Sequence, residues 1–151
     1  MIVVSDTSPV LNLARIGRLQ LLFLLYHQVL IPSAVYDELT ASKSDLPPAI
    51  DLAAQPWLMV AAANDQKRVQ ELRKDLDRGE AEAIVLAIER RADLLLVDER
   101  RGRRTARAST LQQISPVRIQ VFPAHKERTG EHRLLDGQIP NVAAAFSLRS
   151  L

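Results

Sequence analysis

The chain has 151 residues, 47% hydrophobic and 25% charged, with a net charge of +2 and no cysteine. Length and apolar content suit one domain, residues 1 to 151, with a self-sufficient core, and the missing cysteines exclude disulfides, thiolate zinc sites and cysteine nucleophiles. The small net charge argues against a generic polyanion binder, the most apolar run (Leu19 to Tyr26) is far shorter than the roughly 18 residues of a membrane helix, and no cleavable leader is legible, so the expectation is a cytoplasmic protein without a membrane partner.

In chain order, short apolar runs alternate with helical periods. Met1 to Ser5 reads as a strand, and Ser8 with Pro9 reads as a helix start, the proline occupying a position whose N–H needs no partner. Arg18 to Tyr26 reads as a second, very apolar helix and Gln28 to Ile31 as a second strand. Pro32 and Ser33 then open a helix with Val35 and Leu39 one turn apart. Ser42 to Pro48 reads as a loop and Trp57 to Ala61 as a third strand.

Further on, Asn64 to Leu76 reads as a charged helix with Val69, Leu72 and Leu76 on one stripe, and Gly79 to Arg91 as the clearest helix of the chain. Leu94 to Val97 is apolar throughout, as expected of a strand buried on both faces. Arg100 to Gln113 reads as a helix and Val117 to Phe122 as a strand. Strands separated by helices indicate an α/β fold with a mainly parallel central sheet flanked by helices. Sites in such folds lie beyond the carboxyl ends of the strands.

Three acidic residues fall at that edge. Asp6 follows the first strand, Asp98 follows the Leu94 to Val97 strand, and Glu38 stands about 7 Å along the helix that Ser33 opens. The fourth position lies between Glu80 and Glu82, which differ by about 200° around their helix. Glu80 is preferred because the first turn of that helix should be level with the end of the next strand. Asp77 and Glu80 can equally be read as a capping pair at the helix N-terminus.

Carboxylates gathered in one place repel one another unless a cation neutralises them, and an all-oxygen set suits Mg²⁺ or Mn²⁺ rather than zinc. Such a site handles phosphodiesters. The run ERRGRRTAR, residues 99 to 107, carries five arginines and could hold neighbouring phosphates through Arg101, Arg103 and Arg104. His27, His125 and His132 are too scattered to be a ligand set. A phosphatase using Asp6 as nucleophile is disfavoured because position 8, where a second aspartate is expected, is serine.

The stretches SDTSPVLNLARIG, VLIPSAVYDEL, LDRGEAEAIVLAI and LLLVDERRGRRTA, in that order, resemble a PIN domain. More narrowly they are similar to the VapC-like branch of toxin ribonucleases, in the subgroup with GEAEAI and DERRGR signatures. The resemblance covers residues 2 to 108. It implies a three-layer α/β fold and a Mg²⁺- or Mn²⁺-dependent endoribonuclease, with Asp6, Glu38, Glu80 and Asp98 as metal-binding catalytic positions, Ser8 supporting the first aspartate, and Asn12 at a polar position of the first helix. It also implies an RNA substrate, a small antitoxin partner and a homodimer. Residues 109 to 151 depart from the subgroup's pattern, lacking its Gly-rich turn and holding Pro116, Pro123 and Pro140. That departure raises the alternative of a catalytically silent PIN-fold protein that pairs with an antitoxin or binds RNA.

Overall fold

Period-two alternation in three apolar runs builds the interior of the sheet. The structure, a computed structural model, describes residues 1–41, 51–52 and 54–98 together with the backbone of the strand at 118–122. Val3, Val29, Ile31, Leu94 and Leu96 point to one face, while Val4, Leu30, Leu95 and Val97 point to the other. These residues belong to β1 (Val3–Ser5), β2 (Val29–Pro32) and β4 (Leu94–Asp98); β3 (Leu58–Ala61) and β5 (Arg118–Phe122) complete a sheet of order β3-β2-β1-β4-β5. All its pairings are parallel. The expected α/β class and parallel sheet are what the molecule has.

Helices cover both faces, giving three layers. On one side Val10 and Ala14 of α1 (Thr7–Arg15), Leu22 of α2 (Gln20–Tyr26), and Val35 and Leu39 of α3 (Ser33–Ala41) pack with Trp57 against the sheet. On the other side lie Val69 and Leu72 of α4 (Gln66–Leu72) and the body of α5 (Arg78–Glu89). Positive φ at Gly17, +66°, lets the chain leave α1 sharply, with the Arg18 N–H returning to the Leu13 carbonyl at 2.8 Å.

Three elements differ from the sequence expectation. Helix α1 is capped by Asp6, not Ser8: Asp6 Oδ1 accepts the Thr7 N–H at 2.6 Å, and Pro9 sits at the third helical position. The sequence left both starts open because a proline anywhere in the first turn lacks only an N–H that has no intrahelical acceptor. Helix α4 starts from an Asp65 cap and stops at Leu72 rather than Leu76. The extended backbone that Asp77 needs to cap α5 (φ −71°, ψ 171°) cannot be reached while the helix continues, so the chain turns through 73–76 and still buries Leu76. Helix α5 starts at Arg78 and ends at Glu89, slightly displaced from the expected 79–91, and is buried on every side from Gly79 to Ala87. The expected strand near 117–122 is present as β5, paired with β4 along its whole length. The expected helix at 100–113 lies outside the described residues.

Helix α5 also fastens its neighbours. Glu89 accepts the Asn64 and Asp65 N–H groups at 2.8 and 2.7 Å, at the entry to α4, while Glu82 Oε2 accepts the Ala34 N–H at 3.1 Å in the first turn of α3. Each carboxylate satisfies backbone donors that a helix start leaves without an internal acceptor.

Leu96 is fully buried in the central strand β4, whereas Leu24 on α2 is 66% exposed. Leu96→Ala should therefore cost about 2–5 kcal/mol in urea unfolding, and Leu24→Ala less than about 0.5 kcal/mol.

Candidate functional site

The sheet order places a topological switch between β1 and β4. From β1 the chain moves to β2 and β3 on one side, then crosses back to β4 and β5 on the other. In open α/β sheets a ligand usually binds beyond the carboxyl ends of the strands at such a point. Asp6 directly follows β1, with its N–H donating to the Leu96 carbonyl of β4 at 3.0 Å, and Asp98 is the last residue of β4. Both aspartates thus stand where the sequence pointed, one strand apart.

Asp6 is fully buried although it ends an apolar strand. Its role as the α1 cap accounts for part of that burial, since the carboxylate takes the Thr7 amide and faces the positive end of the helix. Ser8 and Asn12 lie one turn apart on α1, both half-buried. Next to Asp6, Thr7 Oγ1 donates a short hydrogen bond to Glu38 Oε2 on α3.

Glu38 in turn lies against the first turn of α5. An ideal Cβ placed on Gly79 would fall 2.8 Å from Glu38 Oε1 and 3.2 Å from both Cδ and Oε2. The next residue, Glu80, is fully buried, and its backbone N–H is held by Asp77 Oδ1 at 2.9 Å. The capping role foreseen for Asp77 is therefore real, and the Glu80 side chain is nonetheless withdrawn from solvent. Asp6, Thr7, Glu38, Gly79 and Glu80 form one continuous run of contacts and chain neighbours between the end of β1 and the start of α5.

Glu82 has two partners of its own. Its Oε2 takes the Ala34 amide and its Oε1 takes Arg78 Nε at 3.0 Å, with only 5% of the residue exposed. Glu82 is committed to the junction of α3 and α5. Glu80 is the glutamate adjacent to the Glu38 contact.

Among the described residues, no three acidic or histidine side chains come close enough together to hold a metal ion by themselves. The donor chemistry nonetheless fits a hard cation: Asp6, Glu38, Glu80 and Asp98 offer only carboxylate oxygens. Arg101, Arg103 and Arg104 lie outside the described residues. Thr7 and Gly79 were not among the expected site residues; the signal for Gly79 was an isolated glycine inside a helical pattern, which marks a close approach of another group.

A parallel sheet flanked by helices on both faces is the fold of a PIN-like protein. The chain belongs to the DUF3368 family, a PIN domain, whose family model matches residues 2–121. That match carries the likeness beyond residue 108 and into β5. PIN domains are generally nucleases and typically use divalent metals. No curated protein and no solved structure matches the chain. No described helix is long and apolar enough to cross a membrane.

Removing the Glu82 carboxylate leaves the buried Ala34 amide without its acceptor. Glu82→Ala should lower stability by about 1–3 kcal/mol in denaturant unfolding, and hydrogen exchange at the Ala34 amide should accelerate.

Proposed function

We propose that the protein is a metal-dependent endoribonuclease of the VapC-like kind, which hydrolyses RNA phosphodiesters at the carboxyl ends of β1 and β4. The observation that carries this reading is the meeting of Glu38 with Gly79, beside the fully buried Glu80, at the edge where Asp6 caps α1. The glycine that admits Glu38 and the burial of Glu80 beside it are what support a chemical role for this edge.

In this reading Asp6, Glu38, Glu80 and Asp98 would hold Mg²⁺ or Mn²⁺, which when bound polarises a phosphoryl oxygen and makes water a better nucleophile. The chain's own residues do the rest. Asp6 is fixed by the α1 amide, Glu38 by the Thr7 hydroxyl, and Glu80 by the helix that Asp77 starts. Glu38 is the less buried of the two glutamates, so it can meet the incoming substrate and orient the attacking water. The water oxygen bonds to phosphorus as the bond to the leaving ribose oxygen breaks, and that oxygen leaves as a hydroxyl after taking up a proton. Ser8 and Asn12 would support the α1 side of the site, and Arg101, Arg103 and Arg104 would hold neighbouring phosphates without reading sequence. The VapC-like reading also assigns the protein as the toxin of a pair, inhibited by a small antitoxin and working as a homodimer.

The decisive variant is Asp6→Asn, because asparagine caps a helix as well as aspartate does. It should melt within a few degrees of wild type yet show no RNA cleavage above background in Mg²⁺ or Mn²⁺, while EDTA should stop the wild-type protein. Wild-type rates from Asp6→Asn would refute the assigned chemistry. A wild-type protein that folds and binds RNA but never cleaves it would mark a silent PIN-fold binder.

A further inference from the structure

We infer that Gly79 is a positioning residue for Glu38, its missing side chain providing a seat in which the Glu38 carboxylate lies and is locked by Thr7. This rests on the reading of Glu38 as a metal ligand and adds what aims it. Gly79 lies within α5 and is not at positive φ, so its backbone makes no demand for glycine. In a helix glycine is the poorest residue short of proline. What glycine supplies here is space: a Cβ would meet Oε1, Cδ and Oε2 of the same carboxylate, with the nearest distance, 2.8 Å, below any that real Cβ atoms adopt.

The three contacts together mean that the carboxylate lies across the Gly79 Cα rather than touching it with a single oxygen. Thr7 Oγ1 donates to Oε2 of the same carboxylate. The carboxylate thus has α5 backbone against it and a hydroxyl of α1 bonded to it, two restraints that limit its rotation. Because the obstructed atoms are the far end of a flexible side chain, an alanine at 79 can be accommodated simply by moving Glu38. Folding should then survive while the carboxylate's aim does not.

The test is Mn²⁺ titration of the full-length protein by calorimetry, paired with thermal melting in EDTA. Gly79→Ala should melt no lower than wild type without metal, yet bind Mn²⁺ about 10- to 100-fold more weakly, the usual cost of losing a group that orients a ligand. Thr7→Val should weaken binding in the same way and Thr7→Ser should restore it. In a Glu38→Asp background, whose shorter side chain no longer reaches the seat, adding Gly79→Ala should change the affinity by less than about twofold. Unchanged Mn²⁺ affinity in Gly79→Ala, or an equal loss in both backgrounds, would overturn the inference. If Asp6→Asn bound Mn²⁺ as tightly as wild type, the metal reading itself would fall; if Asp6→Asn lost binding while Gly79→Ala did not, only the seat would.

Discussion

The bond from the Ala34 amide to the Glu82 carboxylate decides where the site can be. Helix α3 begins directly at the end of β2 and packs Val35 and Leu39 into the core, and its first turn is fastened as well. Glu82 fastens it from the interior of α5, at 3.1 Å and nearly sealed from water. A hydrogen bond to a charged group contributes about 1.5–3 kcal/mol. Arg78 completes the junction by partnering the other Glu82 oxygen, which offsets the cost of burying that charge. Its longer contact to exposed Asp37, 3.8 Å, adds little. With α3 fixed to α5 at this point, Glu38 lies one turn further on, against Gly79.

The site is assembled from parts that also begin helices. Asp6 caps α1, Asp77 caps α5, and Glu82 serves the start of α3, so three helix N-termini converge on the carboxyl edge of the sheet. Their positive ends favour ionised carboxylates there. The same arrangement explains how acidic residues can be packed at one edge of a small domain: the backbone amides that helix formation leaves over neutralise part of their charge. For Asp6 the cap and the proposed chemistry are compatible, since the cap holds the carboxylate at the end of β1.

Much of the frame was legible in the sequence because it is written in local patterns. The apolar run Leu94 to Val97 and the alternation around Val3 and Val29 gave the strands, and strand ends gave the edge on which Asp6 and Asp98 fall. What was not legible depended on contacts between distant segments. Glu80 and Glu82 are two residues apart in one helix, and the partner of Glu82, the Ala34 amide, lies 48 positions away, where no local pattern reaches. The Thr7 hydrogen bond was out of reach for the same reason: its partner, Glu38, belongs to another helix. The α1 cap was misplaced because a proline tolerates the first and third helical positions alike. Gly79 was within reach, since nothing in the local turn explains a glycine there.

Phasing-quality anomalous diffraction at the manganese edge, from crystals of the protein grown or soaked with Mn²⁺, tests the central claim most directly. The account predicts an anomalous peak at the carboxyl ends of β1 and β4, enclosed by carboxylate oxygens of Asp6, Glu38 and Glu80. A fully occupied peak elsewhere, or no peak there under Mn²⁺ concentrations that support RNA cleavage, would contradict it.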